Sequence, residues 1–278
     1  MVKLSRAKDE QGNTIFIGEV KHETNKKYYC EVCGGELIPK ALNSEKKKPH
    51  FAHKPDCDCT DTWLNHNNKG DWHIKWQEKF PNEYREVAIG DENEKHRADV
   101  QVFSCVVEFQ HSPISYEDFT KRNQFYTKHH NDVIWVFDGD ILIDQEWENI
   151  IDPPWRVGGR IHKFKRTQNQ FMNFDDKNGK VTVIFQMNNQ LFVGNEITTR
   201  TVRLSLKHKD VNCFAEQVFE QECEKLEKIQ KKLERIEQGE LYAEQKTKNS
   251  HKSPQKPSVQ PIIILHRVNK KPTKTRRF

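Results

Sequence analysis

Apolar positions change their period along this chain, and each change marks an element. NTIFIGEV (residues 13–20) alternates and KKYYC follows, so residues 1–29 predict a small hairpin that runs into the first cysteine pair. In DWHIKWQEKF (residues 71–80), His73, Trp76, Gln77 and Phe80 recur at i, i+3, i+4 and i+7, one face of a helix that Pro81 ends. Residues 84–89 and 97–110 predict strands. Ser115 with Asp118 three residues on is close to a capping box, and Ile114 and Phe119 take the two places of a hydrophobic staple. A helix therefore starts near Tyr116 and runs to about His130. DVIWVFDG (residues 132–139) is an unbroken apolar run closed by glycine, the pattern of a buried strand. Strand, helix and buried strand form a βαβ unit, which predicts parallel pairing and a right-handed crossover. VTVIFQM and QLFVGN predict further strands. Residues 213–245 predict a charged helix. Its Leu226, Ile229, Leu233 and Ile236 alternate by three and four, which suits either packing on the helix's own domain or a short coiled coil.

Composition narrows the setting. Only 34% of the 278 residues are hydrophobic, so part of the chain is expected to stay outside any core. No run is long and apolar enough to span a bilayer and the first residues carry no apolar leader, so the expectation is a cytoplasmic chain without a membrane. Reduced thiols then make the seven cysteines ligands or core residues rather than disulfides. The net charge of +5 is uneven: residues 246–278 carry ten Lys/Arg and no acid, which leaves residues 1–245 at about −5. Broad attraction to phosphate sits in that Lys-, Pro- and Ser-rich tail, which is expected to be disordered apart from a candidate docking strand, PIIILHRV. The body must use a local groove or metal ions.

Two groups of residues carry candidate chemistry. HRADVQVFSCVVEFQ (residues 96–110) reads as two strands reversing at Phe103–Ser104. That register sets Asp99 opposite Glu108, Arg97 opposite Gln110 and Gln101 opposite Val106. Opposed Cβ atoms lie about 4.5–5.5 Å apart. Two carboxylates so placed repel unless a cation lies between them, and Mg²⁺ takes oxygen ligands of this kind. Glu108 and Gln110 share a face by the strand period. The plain alternative for Glu108 is a solvated edge acid, and for His73 on the helix face a satisfied core histidine. Arg122 and Tyr126 form an i, i+4 pair on the second helix. The other group is Cys30-x-x-Cys33 with Gly34-Gly35, which His50-x-x-His53 completes as a Cys₂His₂ zinc set. Cys57-x-Cys59 competes with the histidine pair, so a mixed set stays open.

CxxC…HFAH, WHxxW, RADV, EFQHSPIS, RxxFY and VIWVFDG occur in that order, and together they resemble the competence-protein CoiA-like nucleases of the PD-(D/E)XK restriction-endonuclease-like superfamily over residues 13–140. The resemblance implies an α/β fold: a restriction-endonuclease-like mixed sheet flanked by helices, preceded by a zinc-ribbon-like module and followed by the charged helix. It implies that Asp99 and Glu108 hold a catalytic Mg²⁺ or Mn²⁺ with His73 as a further ligand. Gln110 stands where many members carry lysine, and Arg122 and Tyr126 are similar to a helix motif near the scissile phosphate. Residues 1–62 are then the hairpin and zinc module, 63–150 the nuclease core, 151–212 a β-rich extension, 213–245 the helix and 246–278 the tail. The function implied is metal-dependent hydrolysis of DNA in uptake, recombination or defence, with the helix or tail available to a protein partner. Gln110 keeps a second reading open, a nucleic-acid-binding adaptor that retains the nuclease fold without catalysis.

Overall fold

The structure is a computed structural model that describes residues 4–21, 26–57, 59, 70–149, 160–172, 174 and 180–248. Residues up to Leu226 form one compact unit, and Glu227 begins a second.

The first sheet is small and antiparallel. It holds β1 (Arg6–Lys8), β2 (Thr14–Phe16), β3 (Tyr28–Tyr29), β4 (Glu36–Lys40) and β5 (His50–His53) in the order β2-β1-β3-β4-β5. The alternation of NTIFIGEV yields strand only as far as Phe16. Ile17–Glu19 then turn as a 3₁₀ helix, because the Glu19 carboxylate reaches back to accept the Phe16 N–H at 3.0 Å. Its apolar core is Leu4, Ala7, Tyr28, Cys30, Leu37 and Phe51, with a few half-buried residues around it.

The second sheet positions the site. Before it lie α1 (Asp71–Gln77) and a two-stranded ribbon of β6 (Ala88–Gly90) and β7 (Lys95–Arg97). Then come β8 (Val100–Val102), β9 (Cys105–Gln110), α2 (Tyr116–Lys128), β10 (Asp132–Asp138), α3 (Gly139–Leu142) and β11 (Ile143–Asn149). The stretch 151–212 supplies β12 (Arg160–Phe164), β13 (Val181–Met187), β14 (Gln190–Asn195) and β15 (Thr201–His208) to the same sheet, ordered β11-β12-β15-β14-β13-β10-β9-β8. β9, β10 and β13 run parallel and the remaining pairs antiparallel, so the fold is α/β with a large mixed sheet. The βαβ unit forms as its pattern predicts. Ser115 Oγ accepts the Asp118 N–H at 2.9 Å, and Ile114 packs against the cluster that buries Phe119.

Strand alternation sends side chains to two apolar clusters. Val106, Val133, Trp135 and Phe137 pack with Phe119, Phe125 and Tyr126 of α2. Val107, Phe109, Ile134 and Val136 pack with Trp76 of α1, with Phe80 just beyond it, and with Phe214 and Val218 of the last helix, α4 (Phe214–Lys248). Each such buried side chain contributes about 1.5–3 kcal/mol. At Gly139, the first residue after β10, a Cβ would meet Gln186 O at 2.8 Å, so glycine lets the chain pass close to β13 as it leaves the strand. Leu226, Ile229, Leu233 and Ile236 of α4 are exposed. The tail beyond Lys248, including PIIILHRV, lies outside the described residues. Among the described residues no helix is long and apolar enough to cross a membrane.

Candidate functional site

The reversal between β8 and β9 has the register expected from its sequence, pairing Val100 with Val107 and Gln101 with Val106. No glycine or asparagine makes the turn. Phe103 takes a φ of 50°, which L-residues disfavour. Buried Glu222 of α4 holds the turn from outside: its Oε2 accepts from Ser104 N at 3.2 Å and from Ser104 Oγ at 2.8 Å. The ladder does not continue to an Arg97–Gln110 pair. Arg97 pairs with Ala88 instead, because its guanidinium is drawn to the small sheet, donating to Glu86 O at 2.7 Å and lying 3.4 Å from Glu31 and 3.7 Å from Cys30 Sγ.

Asp99 sits where β7 and β8 part. Its Oδ2 accepts the Phe109 N–H at 3.0 Å, taking over the ladder at that point. Its Oδ1 is 2.9 Å from His73 Nε2, and its backbone oxygen accepts from Gln77 Nε2 at 3.1 Å. His73 and Gln77 are one turn apart on the buried face of α1, so one helix pins both ends of the residue. Sequence reasoning placed Gln77 on that face but gave it no role.

Glu108 is held from the other helix. Arg122 Nη1 donates to Oε2 at 3.2 Å and the Tyr126 hydroxyl to Oε1 at 2.5 Å. All three side chains are buried. Burial works against the Arg122 charge, but Glu108, with Tyr126 and Asp99 behind it, outweighs this and raises the guanidinium's pKa. Burial first and Glu108 second push the Tyr126 hydroxyl well above its ordinary range, so Tyr126 remains the proton donor. Gln110 is not drawn in: its Nε2 donates to Ser112 O at 2.5 Å. The structure thus ties His73 to Asp99 and Arg122 and Tyr126 to Glu108, with Gln110 turned aside at the strand end.

Of the ligand sets that the spacing leaves open, the cysteine cluster favours the mixed one over Cys₂His₂. Cys30, Cys33, His53 and Cys59 have ligand atoms all within 4.8 Å of one another, and among the described residues no other group of three or more Cys, His, Asp or Glu is so close. His50 is not part of it; its Nδ1 lies 3.0 Å from Lys48 O. The reason is strand parity. HFAH is β5, and residues three apart on a strand face opposite ways, so only one of the two histidines can reach the cysteines. Cys59 supplies the fourth donor. That parity was the available signal, and the H-x-x-H spacing masked it. Cys57 Sγ lies 3.9 Å from Cys33 Sγ, beside the group. Cys59 draws the Cys30 thiol's pKa far down against the opposing effect of burial, with His53 and Arg97 adding to the pull. A thiolate among sulfur and imidazole donors is the chemistry zinc takes, so this Cys₃His group could bind zinc.

A family model described as competence protein CoiA, nuclease-like domain, matches residues 91–221, and one described as competence protein CoiA, N-terminal domain, matches residues 17–61. Together they span more than half of the chain. The first takes in Asp99, Glu108, Gln110, Arg122 and Tyr126 and begins beyond His73; the second takes in the Cys₃His group. No curated protein and no solved structure matches the chain.

Proposed function

The chain belongs to the CoiA-like family, and from that premise we propose that it is a metal-dependent DNA nuclease of the PD-(D/E)XK type that hydrolyses phosphodiesters, with a zinc-stabilised N-terminal module. One observation carries the reading. Two buried acids, Asp99 and Glu108, flank the last ladder pair, Val100 with Val107, of a β-hairpin on the edge of the mixed sheet, inside the nuclease-like match.

Carboxylate oxygens suit a hard divalent cation, so Asp99 and Glu108 would hold Mg²⁺ or Mn²⁺. His73 is hydrogen-bonded to Asp99, but the three do not gather within 4.8 Å as the Cys₃His group does, so it would join as a further donor only by moving in with the ion. Bound there, the ion would polarise the phosphodiester and make an attacking water more acidic. The chain's own residues do the positioning. His73, Gln77 and the Phe109 N–H fix Asp99; Arg122 and Tyr126 fix Glu108. Arg122 brings a buried positive charge to a site where negative charge grows on the phosphate. Gln110 can donate and accept hydrogen bonds to a water but cannot take its proton.

A second reading has its own support. Gln110 replaces the lysine of many superfamily members and its amide is turned to Ser112, which favours an adaptor that binds DNA without cutting it. The test is an assay of the purified chain on single- and double-stranded DNA with Mn²⁺. The nuclease reading expects cleavage that Asp99→Asn and Glu108→Gln abolish. Cleavage unchanged in both variants removes the site. Salt-sensitive binding without cleavage selects the adaptor.

A further inference from the structure

The parallel register that pairs Gln110 with Phe137 carries the next residue of each strand together beyond the sheet. There His111 Nδ1 lies 2.9 Å from Asp138 Oδ2. Asp138 is buried, and its other oxygen caps α3, accepting from Asp140 N at 3.0 Å and Ile141 N at 3.4 Å. The carboxylate cannot turn away from the imidazole without giving up that cap. Trp72 packs beside the imidazole, ring centroids 5.5 Å apart, and its indole N–H donates to Gln186 Oε1 at 2.7 Å on the neighbouring strand β13. The imidazole is therefore held by a fixed acid and a fixed ring, yet the side chain is 49% exposed. Among the described residues nothing bonds its Nε2. Capping a four-residue helix uses one oxygen of Asp138; the second is committed to aiming a solvent-facing histidine.

We propose that His111 is the general acid of the phosphodiester hydrolysis put forward above, with Asp138 as its positioning residue. This role rests on the nuclease reading. The substrate is a DNA strand crossing the C-terminal ends of β9 and β10. Glu108 turns to α2 and His111, three residues on, to Trp72 of α1, so the two would flank a phosphorus only where it lies across the strand end, within the roughly 10 Å that three extended residues span. Water oxygen bonds to phosphorus. The bond from phosphorus to the departing bridging oxygen breaks with its electron pair on that oxygen, which takes the proton from His111 Nε2. The proton lost by the water goes to solvent, and solvent returns one to the imidazole. One water is added across one P–O bond. Asp138 keeps Nδ1–H in place, so that Nε2 is the atom that gives and regains the proton. Gln110 cannot fill this role, because an amide has no acidic proton to give.

The test compares two oligonucleotides of one sequence, one natural and one with sulfur replacing the departing bridging oxygen; a thiolate leaves without a proton. Positioned general acids contribute about 10²–10⁴-fold. His111→Ala and His111→Gln are expected to slow the natural strand by at least about 10²-fold and the sulfur strand by less than about 3-fold. Asp138→Asn should show the same selectivity with a smaller loss. Affinity for uncut DNA, read by fluorescence anisotropy with Ca²⁺ in place of Mn²⁺, should stay within about 2-fold. Equal losses on both strands, no loss on either, or a loss of affinity that accounts for the slowing each overturn the acid role while leaving the nuclease reading intact. Wild-type protein that cuts neither strand overturns both.

Discussion

The small sheet and the edge of the large one use the same residue types to opposite ends. In the small sheet the apolar core is short, and cysteine and histidine side chains converge where more core would otherwise be needed. A metal bound there would be part of the fold. At the edge of the large sheet two apolar clusters already hold the strands, and the buried acids find protein donors: His73 for Asp99, Arg122 and Tyr126 for Glu108. Those contacts hold the acids through the protein's own donors, so an ion bound there would act on substrate rather than on stability. The contrast separates a ligand that makes a structure from one that uses it.

The largest expected effect is on the small sheet. Zinc sites of this donor count contribute about 10–16 kcal/mol of apparent folding energy in isolated peptides. A strong chelator should therefore unfold β1 to β5 and expose their amides to hydrogen exchange, while β9, β10 and β13 stay protected. Zinc content should fall from about one per chain to near zero in Cys59→Ala and stay unchanged in His50→Ala. The reverse pattern restores the Cys₂His₂ set.

Next comes the buried ion pair. Glu108→Ala leaves the Arg122 charge uncompensated, with an expected loss of about 3–5 kcal/mol in urea unfolding. Adding Arg122→Met should return much of it. A full loss that persists in the double variant would mean that packing, not charge, dominates there. Tyr126→Phe removes one hydrogen bond to a carboxylate and should cost about 1.5–3 kcal/mol.

The smallest effect is a pH dependence at the far end of β10. Burial would raise the Asp132 carboxyl's pKa, but Lys225 at 2.7 Å and Lys180 at 2.9 Å outweigh it and hold it below 3.8. A carboxylate lowered in the folded state stabilises above its unfolded pKa and loses that contribution as pH falls through the folded one. Wild type should therefore melt above Asp132→Asn at neutral pH, and the gap should close as pH drops well below 3.8. A gap that persists at low pH assigns the difference to hydrogen bonding alone.

Local patterns were the most legible part of the sequence. The staple of Ile114 and Phe119, the apolar run of β10 and the β8–β9 register all act over a few residues, and all appear as their residues dictate. The hairpin that brings Asp99 and Glu108 into one stretch acts over the same short reach. What stayed open or escaped needs more than local pattern. The mixed set with Cys59 stood beside Cys₂His₂ on spacing alone, and only the strand parity of HFAH excludes His50. His111 and Asp138 lie 27 residues apart and meet only because β9 and β10 pair in parallel with Gln110 beside Phe137. The βαβ pattern predicted that pairing, but not which residues would stand level. Phe103 shows the limit in another way: its turn lacks the residues that turns favour and is completed by Glu222, more than a hundred positions away.

The most direct measurement is anomalous scattering from crystals soaked in Mn²⁺. The account predicts a manganese peak in contact with both Asp99 and Glu108, together with a zinc peak at Cys30, Cys33, His53 and Cys59. Manganese absent from the two acids at saturating concentration, with Arg122 and Tyr126 still closed on Glu108, would contradict it.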